Sequence, residues 1–87
     1  MWWHVYVLES KIDSNKYVGI TNNLKRRFAM RNSGKVFATR DRYPFKLIYI
    51  ESYLNQNDAA SREKFLKSGW GKNHLLRVLK NYKKLGG

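Results

Sequence analysis

The sequence predicts an α+β domain, one small sheet covered by helices in the order β-β-α-β-α-α. Two aromatic and β-branched runs flank an Asp13-Ser14-Asn15 turn, a third such run follows Pro44, and asparagines stand where helices would need caps. No internal repeat, low-complexity tract or linker divides the chain, so residues 1–87 are expected to form a single domain.

Each element has its own local cause. Residues 3 to 8 and Lys16 to Thr21 have strand composition, and the intervening turn makes them a hairpin. Asn22 or Asn23 caps a short, strongly basic helix from about Leu24 to Arg31, which Asn32-Ser33-Gly34 stops. Lys35 to Arg42 has no period and reads as a loop. Pro44 then marks the entrance to a strand over Phe45 to Glu51, where a missing N–H is tolerated. Asn55 to Asp58 offers caps for a helix to about Ser68, Gly69-Trp70-Gly71 reads as a break, and a last helix runs from about Asn73 to Lys84.

Composition narrows the function. Eighteen Lys and Arg against six Asp and Glu give a net charge of +12, which costs self-repulsion unless an anionic partner offsets it. Nucleic acid is the natural partner, because the cations spread from Lys11 to Lys84 instead of lining one amphipathic, membrane-seeking helix. The absence of cysteine removes disulfides and thiolate metal sites, and His4 and His74 are too few for structural zinc. The apolar run at the N-terminus ends too soon for a signal peptide or a membrane span, so a cytoplasmic protein is expected, monomeric by default.

Several residues sit oddly in these elements. Ala59, Ala60 and Leu66 define an apolar helical stripe and Glu63 falls in its middle, so its carboxylate needs a cation nearby, either an arginine, in a salt bridge at the core's edge, or a metal ion. Arg27 and Arg31 lie one turn apart beside the inward stripe of Leu24 and Phe28, forming either a solvated basic face or a phosphate clamp. Tyr6 and Tyr17 share a sheet face only if opposed residue numbers in the hairpin sum to an odd value, a register the sequence alone leaves open. Gly19, two positions beyond Tyr17, would leave that face bare for close approach.

Val5-Tyr6-Val7, Tyr17-Val18-Gly19, the Thr21 to Arg27 segment, Asn32-Ser33-Gly34 and the Ala60 to Gly69 segment follow one another in an order that resembles the GIY-YIG nucleases. The small stand-alone bacterial members are the most similar, and the resemblance covers nearly the whole chain. It implies a three-stranded antiparallel sheet flanked by helices, with Tyr6, Tyr17 and Arg27 grouped around a divalent metal held by Glu63. Arg31 stands where many relatives carry histidine, and arginine, always protonated, cannot act as a general base. A further family asparagine corresponds to Asn73 or Asn81, with Asn73 preferred, and His74 is read as a surface histidine in preference to a site residue.

The chemistry so implied is metal-assisted phosphodiester hydrolysis of DNA, with branched or damaged DNA and a role in repair as candidates. One Mg²⁺ (or Mn²⁺) held by Glu63 suffices, because six acids in the whole chain argue against a carboxylate-rich two-metal cage. Arg27 would neutralise the growing phosphate charge, Tyr17 or Tyr6 would orient or deprotonate the water, and Arg31 would bind phosphate. Lys35, Arg40, Arg42 and Lys72 would hold flanking backbone. The alternative is a nucleic-acid-binding module that keeps the fold without turnover. A basic RNA-packing protein accounts for the charge but not for Glu63.

Overall fold

A computed structural model describes residues 1–84. Its elements are β1 (Trp3–Ser10), β2 (Lys16–Thr21), α1 (Leu24–Arg31), β3 (Phe45–Tyr53), α2 (Gln56–Leu66), α3 (Gly69–Val78) and α4 (Lys80–Lys84). The three strands form one antiparallel sheet in the order β2-β1-β3, leaving β2 and β3 as the two edges. None of the described helices is long and apolar enough to cross a membrane.

The hairpin turn is built as its residues suggest. The Asp13 Oδ1 accepts from the Asn15 backbone N–H at 3.0 Å, and Ser14 between them takes a left-handed φ of 62°. Ser10 N–H closes the loop on the Asn15 carbonyl at 2.9 Å. This turn sets Tyr6 opposite Gly19 and Leu8 opposite Tyr17, pairs whose numbers sum to 25. The sum is odd, so Tyr6 and Tyr17 share one face of the sheet.

Alternation then sorts the strands into two cores. Even-numbered Tyr6 and Leu8 join Phe45, and α1 covers them with Leu24 and Phe28. Odd-numbered Val5 and Val7 face the other way and meet Ala59, Leu66, Leu75 and Leu79 from α2, α3 and the α3–α4 junction. A β-bulge between Val7 and Leu8 shifts the β1–β3 pairing by one residue. The result is a three-layer arrangement in which α1 alone lies on one side of the sheet.

Caps fix the helix starts. The Asn23 side chain accepts from Arg26 N–H at 3.1 Å, and the Asn55 side chain from Asn57 N–H at 2.8 Å. At the other end of α1, the Asn32 side chain accepts from Phe45 N–H at 2.6 Å, tying the helix to the entrance of β3.

Three local expectations change. Gly69-Trp70-Gly71 is the first turn of α3 and not a break: Ser68 caps it by accepting from Gly71 N–H at 3.2 Å. Gly71 is required by packing, since a Cβ there would overlap the backbone of Phe65 and Leu66 in α2. The helix expected from Asn73 to Lys84 is divided between α3 and α4 at Leu79. Ala60 is exposed, so the inward stripe of α2 is Ala59 and Leu66, with Arg62 and Glu63 half-buried on its flanks.

Candidate nucleic-acid site

The site is best built from α2. At about 100° per residue, Arg62 and Glu63 leave the Ala59–Leu66 stripe on opposite sides. Arg62 turns toward β3, where its Nε and Nη2 donate to the two oxygens of Glu51 at 2.7 and 3.0 Å. Glu63 leaves the stripe on the other side. Its side chain is 22% exposed and pairs with Lys67, one turn on, at 3.4 Å. The protein cation that its half-burial demands is thus not an arginine but Lys67, the residue that caps the C-terminal end of α2.

Lys67 in turn lines a cavity of about 770 Å³ at the free edge of β2. Tyr6 and Tyr17 reach this cavity from the α1 face, while Val18 and Leu66 reach it from the opposite face. Edge position makes this possible, because side chains on both faces of an outermost strand meet around its unpaired backbone. Lys16, Arg31 and Lys72 complete a cationic wall with Lys67. Two of these four are anchored by acids: Lys67 by Glu63, and Lys16 by buried Glu9 at 3.4 Å. Such a wall favours a phosphate backbone.

The tyrosines differ in depth. Tyr6 is 3% exposed, and its ring fills the space over Gly19 that any side chain at that position would need. What Gly19 admits is therefore this ring. Tyr17 is half-buried and rests edge-on against Phe45, with centroids 5.4 Å apart. Arg31 reaches Thr39 at 3.5 Å across the cavity wall, and Arg27 lies half-buried one turn before it on the same helix.

The other expected contacts are scattered. Lys35 and Arg40 are exposed, Arg40 resting 4.4 Å above the Phe37 ring. Arg42 is paired with Asp13 at 2.9 Å, so part of its charge is already balanced. Asn73 is exposed and shares a shallow depression with Trp70 and Lys72. His74, expected at the surface, is half-buried instead. Its Nε2 lies 3.0 Å from Arg62 Nη2, and since a guanidinium only donates, the ring nitrogen is the accepting side of this contact.

A second polar cluster was not foreseen. Glu51 accepts from Arg62, from the Tyr49 hydroxyl at 2.6 Å and from the Tyr53 hydroxyl at 2.8 Å. Burial alone would raise its carboxyl, but the hydrogen bonds from Arg62, Tyr49 and Tyr53 prevail and hold it down at about 2. Tyr49 is pushed up to about 12, by burial first and by its bond to Glu51 second. Alternation from Tyr49 to Tyr53 was the available signal, since it puts three polar groups on the face that α2 covers.

These commitments take three of the six acids out of contention for a metal and leave exposed Asp41 and Asp58 beside half-buried Glu63. Glu9 accepts from Tyr82 at 2.7 Å and pairs with Lys16 and Lys46, Glu51 is saturated, and Asp13 belongs to Arg42. Among the described residues no three His, Asp or Glu side chains converge. Glu63 keeps a partly open carboxylate with one lysine partner, a donor that fits a hard cation taking one protein carboxylate beside water and phosphate oxygens.

Comparison with known proteins agrees with this architecture. Residues 2–75 match the model of the GIY-YIG catalytic domain. A UPF0213 protein of Streptococcus pneumoniae is 43% identical over 65 residues, 74% of this chain and 65% of the relative, so the match spans just under two thirds of that protein's length. A UPF0213 protein of Clostridium perfringens is also 43% identical, over 74% of this chain and 69% of its own length. The solution NMR structure of a UPF0213 protein from Bacillus halodurans superposes with a TM-score of 0.57 at 32% identity, covering 90% of this chain and 85% of that one. The chain belongs to the GIY-YIG family.

Proposed function

We propose that the chain, acting over residues 1–87 as one domain, is an endonuclease that hydrolyses phosphodiester bonds in DNA at the β2 edge. Family membership supports the nuclease class. The observation that carries the finer reading is the cavity itself, where two tyrosines and four cations meet and where Lys67 links the wall to the half-open carboxylate of Glu63. One Mg²⁺ or Mn²⁺, held by Glu63 with waters, would supply Lewis-acid neutralisation of the phosphate.

The protein's own residues do the rest. Arg31 and Lys72 seat the phosphate backbone, and Arg27, one turn from Arg31, offsets the charge that grows on phosphorus. Tyr17, the more exposed phenol, orients the attacking water, with Tyr6 behind it. Lys35, Arg40 and Asn73 lie outside the cavity and serve flanking nucleotides. The cysteine-free, strongly basic composition suits a cytoplasmic monomer working on DNA, in repair or a related process.

The test is a plasmid-nicking assay with Mg²⁺, with Mn²⁺ and with chelator. Nicking that needs the divalent ion supports the proposal. One observation favours a second reading: Arg31 places a permanent cation at the cavity where a base would be useful. If no divalent ion supports cleavage of single-stranded, duplex or branched DNA while salt-sensitive binding persists, the chain is a binding module.

A further inference from the structure

The two most exposed aromatic rings among the described residues are Trp70, 79% exposed, and Phe37, 78% exposed. Single apolar side chains on a surface need no explanation, but each of these two adjoins residues that line the same cavity. Trp70 occupies the shallow depression beside it, and Lys72 lines both. Phe37 directly precedes Ala38 and Thr39, which line the cavity from the α1 side. Each ring has a cation at hand: Lys72 beside Trp70, and Arg40 stacked 4.4 Å from the Phe37 centroid.

An aromatic plane with a neighbouring cation, set beside a phosphate-binding cavity, is the arrangement that holds an unpaired nucleotide: the base stacks and the cation takes the backbone. Duplex DNA offers such rings little, because its base faces are already stacked on one another. We propose that Trp70 and Phe37 are base-stacking platforms on either side of the cavity, and that the preferred ligand is single-stranded DNA. This rests on the cavity being the phosphate site of the reading above, although it does not require that the bond be cut.

The experiment measures binding by fluorescence anisotropy in chelator at fixed salt, so that cleavage cannot intrude. The probes are an oligothymidylate, the same strand with abasic sites, and a duplex of equal length. Wild-type protein should bind the intact strand about a hundredfold more tightly than the abasic one, about tenfold for each ring. Trp70→Ala should lose about tenfold on the intact strand, change little on the abasic strand and duplex, and recover with Trp70→Phe. Phe37→Ala should behave likewise. Equal affinity of wild-type protein for intact and abasic strands, no loss in either variant, or an equal loss on all three probes would each overturn the proposal. Base discrimination without nicking would instead remove only the nuclease reading.

Discussion

The ring of Tyr6 on β1 occupies the space that a side chain on Gly19 of β2 would fill. The two positions are direct cross-strand partners, so the deeper phenol of the site owes its place to the absence of a single methyl group. Gly19→Ala should expel or tilt that ring. Overpacking of this kind costs about 1–3 kcal/mol, readable as a lowered Tm, and DNA cleavage should fall further than stability does. A Tm and activity equal to wild type would show that the ring is free to move.

Glu51 makes stability depend on pH in a defined window. Its folded carboxyl titrates at about 2 against an ordinary value of 4.5, so the stabilisation is complete above 4.5 and is lost as pH falls toward 2. Tyr49, raised from 10 to about 12, acts in the opposite sense: its contribution is full below 10 and is lost as pH rises toward 12. Denaturant titrations should therefore show an acid limb on the order of 2–3 kcal/mol that Glu51→Gln flattens. Arg62→Ala should destabilise more than Glu51→Gln, because it strands a half-buried carboxylate with phenols alone.

Tyr17→Phe keeps the edge contact with Phe45 and removes only the hydroxyl. Cleavage should fall about 10²- to 10⁴-fold, the range general acid–base groups supply, with DNA affinity unchanged. An unaltered rate would take Tyr17 out of the chemistry.

Lys72 touches both the cavity and the neighbouring depression. Lys72→Ala should weaken binding to all sequences alike and reduce the slope of log affinity against log salt by about 1. A sequence-dependent loss would point to a base contact instead.

The strands, the hairpin turn and the starts of α1 and α2 were legible because their causes are local: Asp13 holds Asn15, Asn23 caps α1 and Asn55 caps α2. The parity condition on Tyr6 and Tyr17 was also readable, although its outcome awaited the register. Glu63 stood out as an acid within an apolar stripe, yet its lysine partner could not be chosen in advance among so many cations. What stayed hidden was non-local. Glu51 and Arg62 meet across the β3–α2 junction, and nothing in either segment names the other. Gly71 looked like a helix stop because a glycine that lets two helices touch and a glycine that ends one are identical in sequence. His74 was assigned to the surface because its burial depends on how α3 lies beside Arg62.

The most direct test of the account compares Glu63→Gln with wild-type protein on one labelled DNA substrate, measuring cleavage with Mg²⁺ and affinity in chelator. The substitution keeps the side chain's size and removes its charge. Cleavage should drop about a thousandfold or more while affinity stays within a few-fold of wild type. A variant that cuts as fast as the wild type would contradict the assignment of Glu63 as the metal-holding carboxylate, and with it the chemistry placed at the β2 edge.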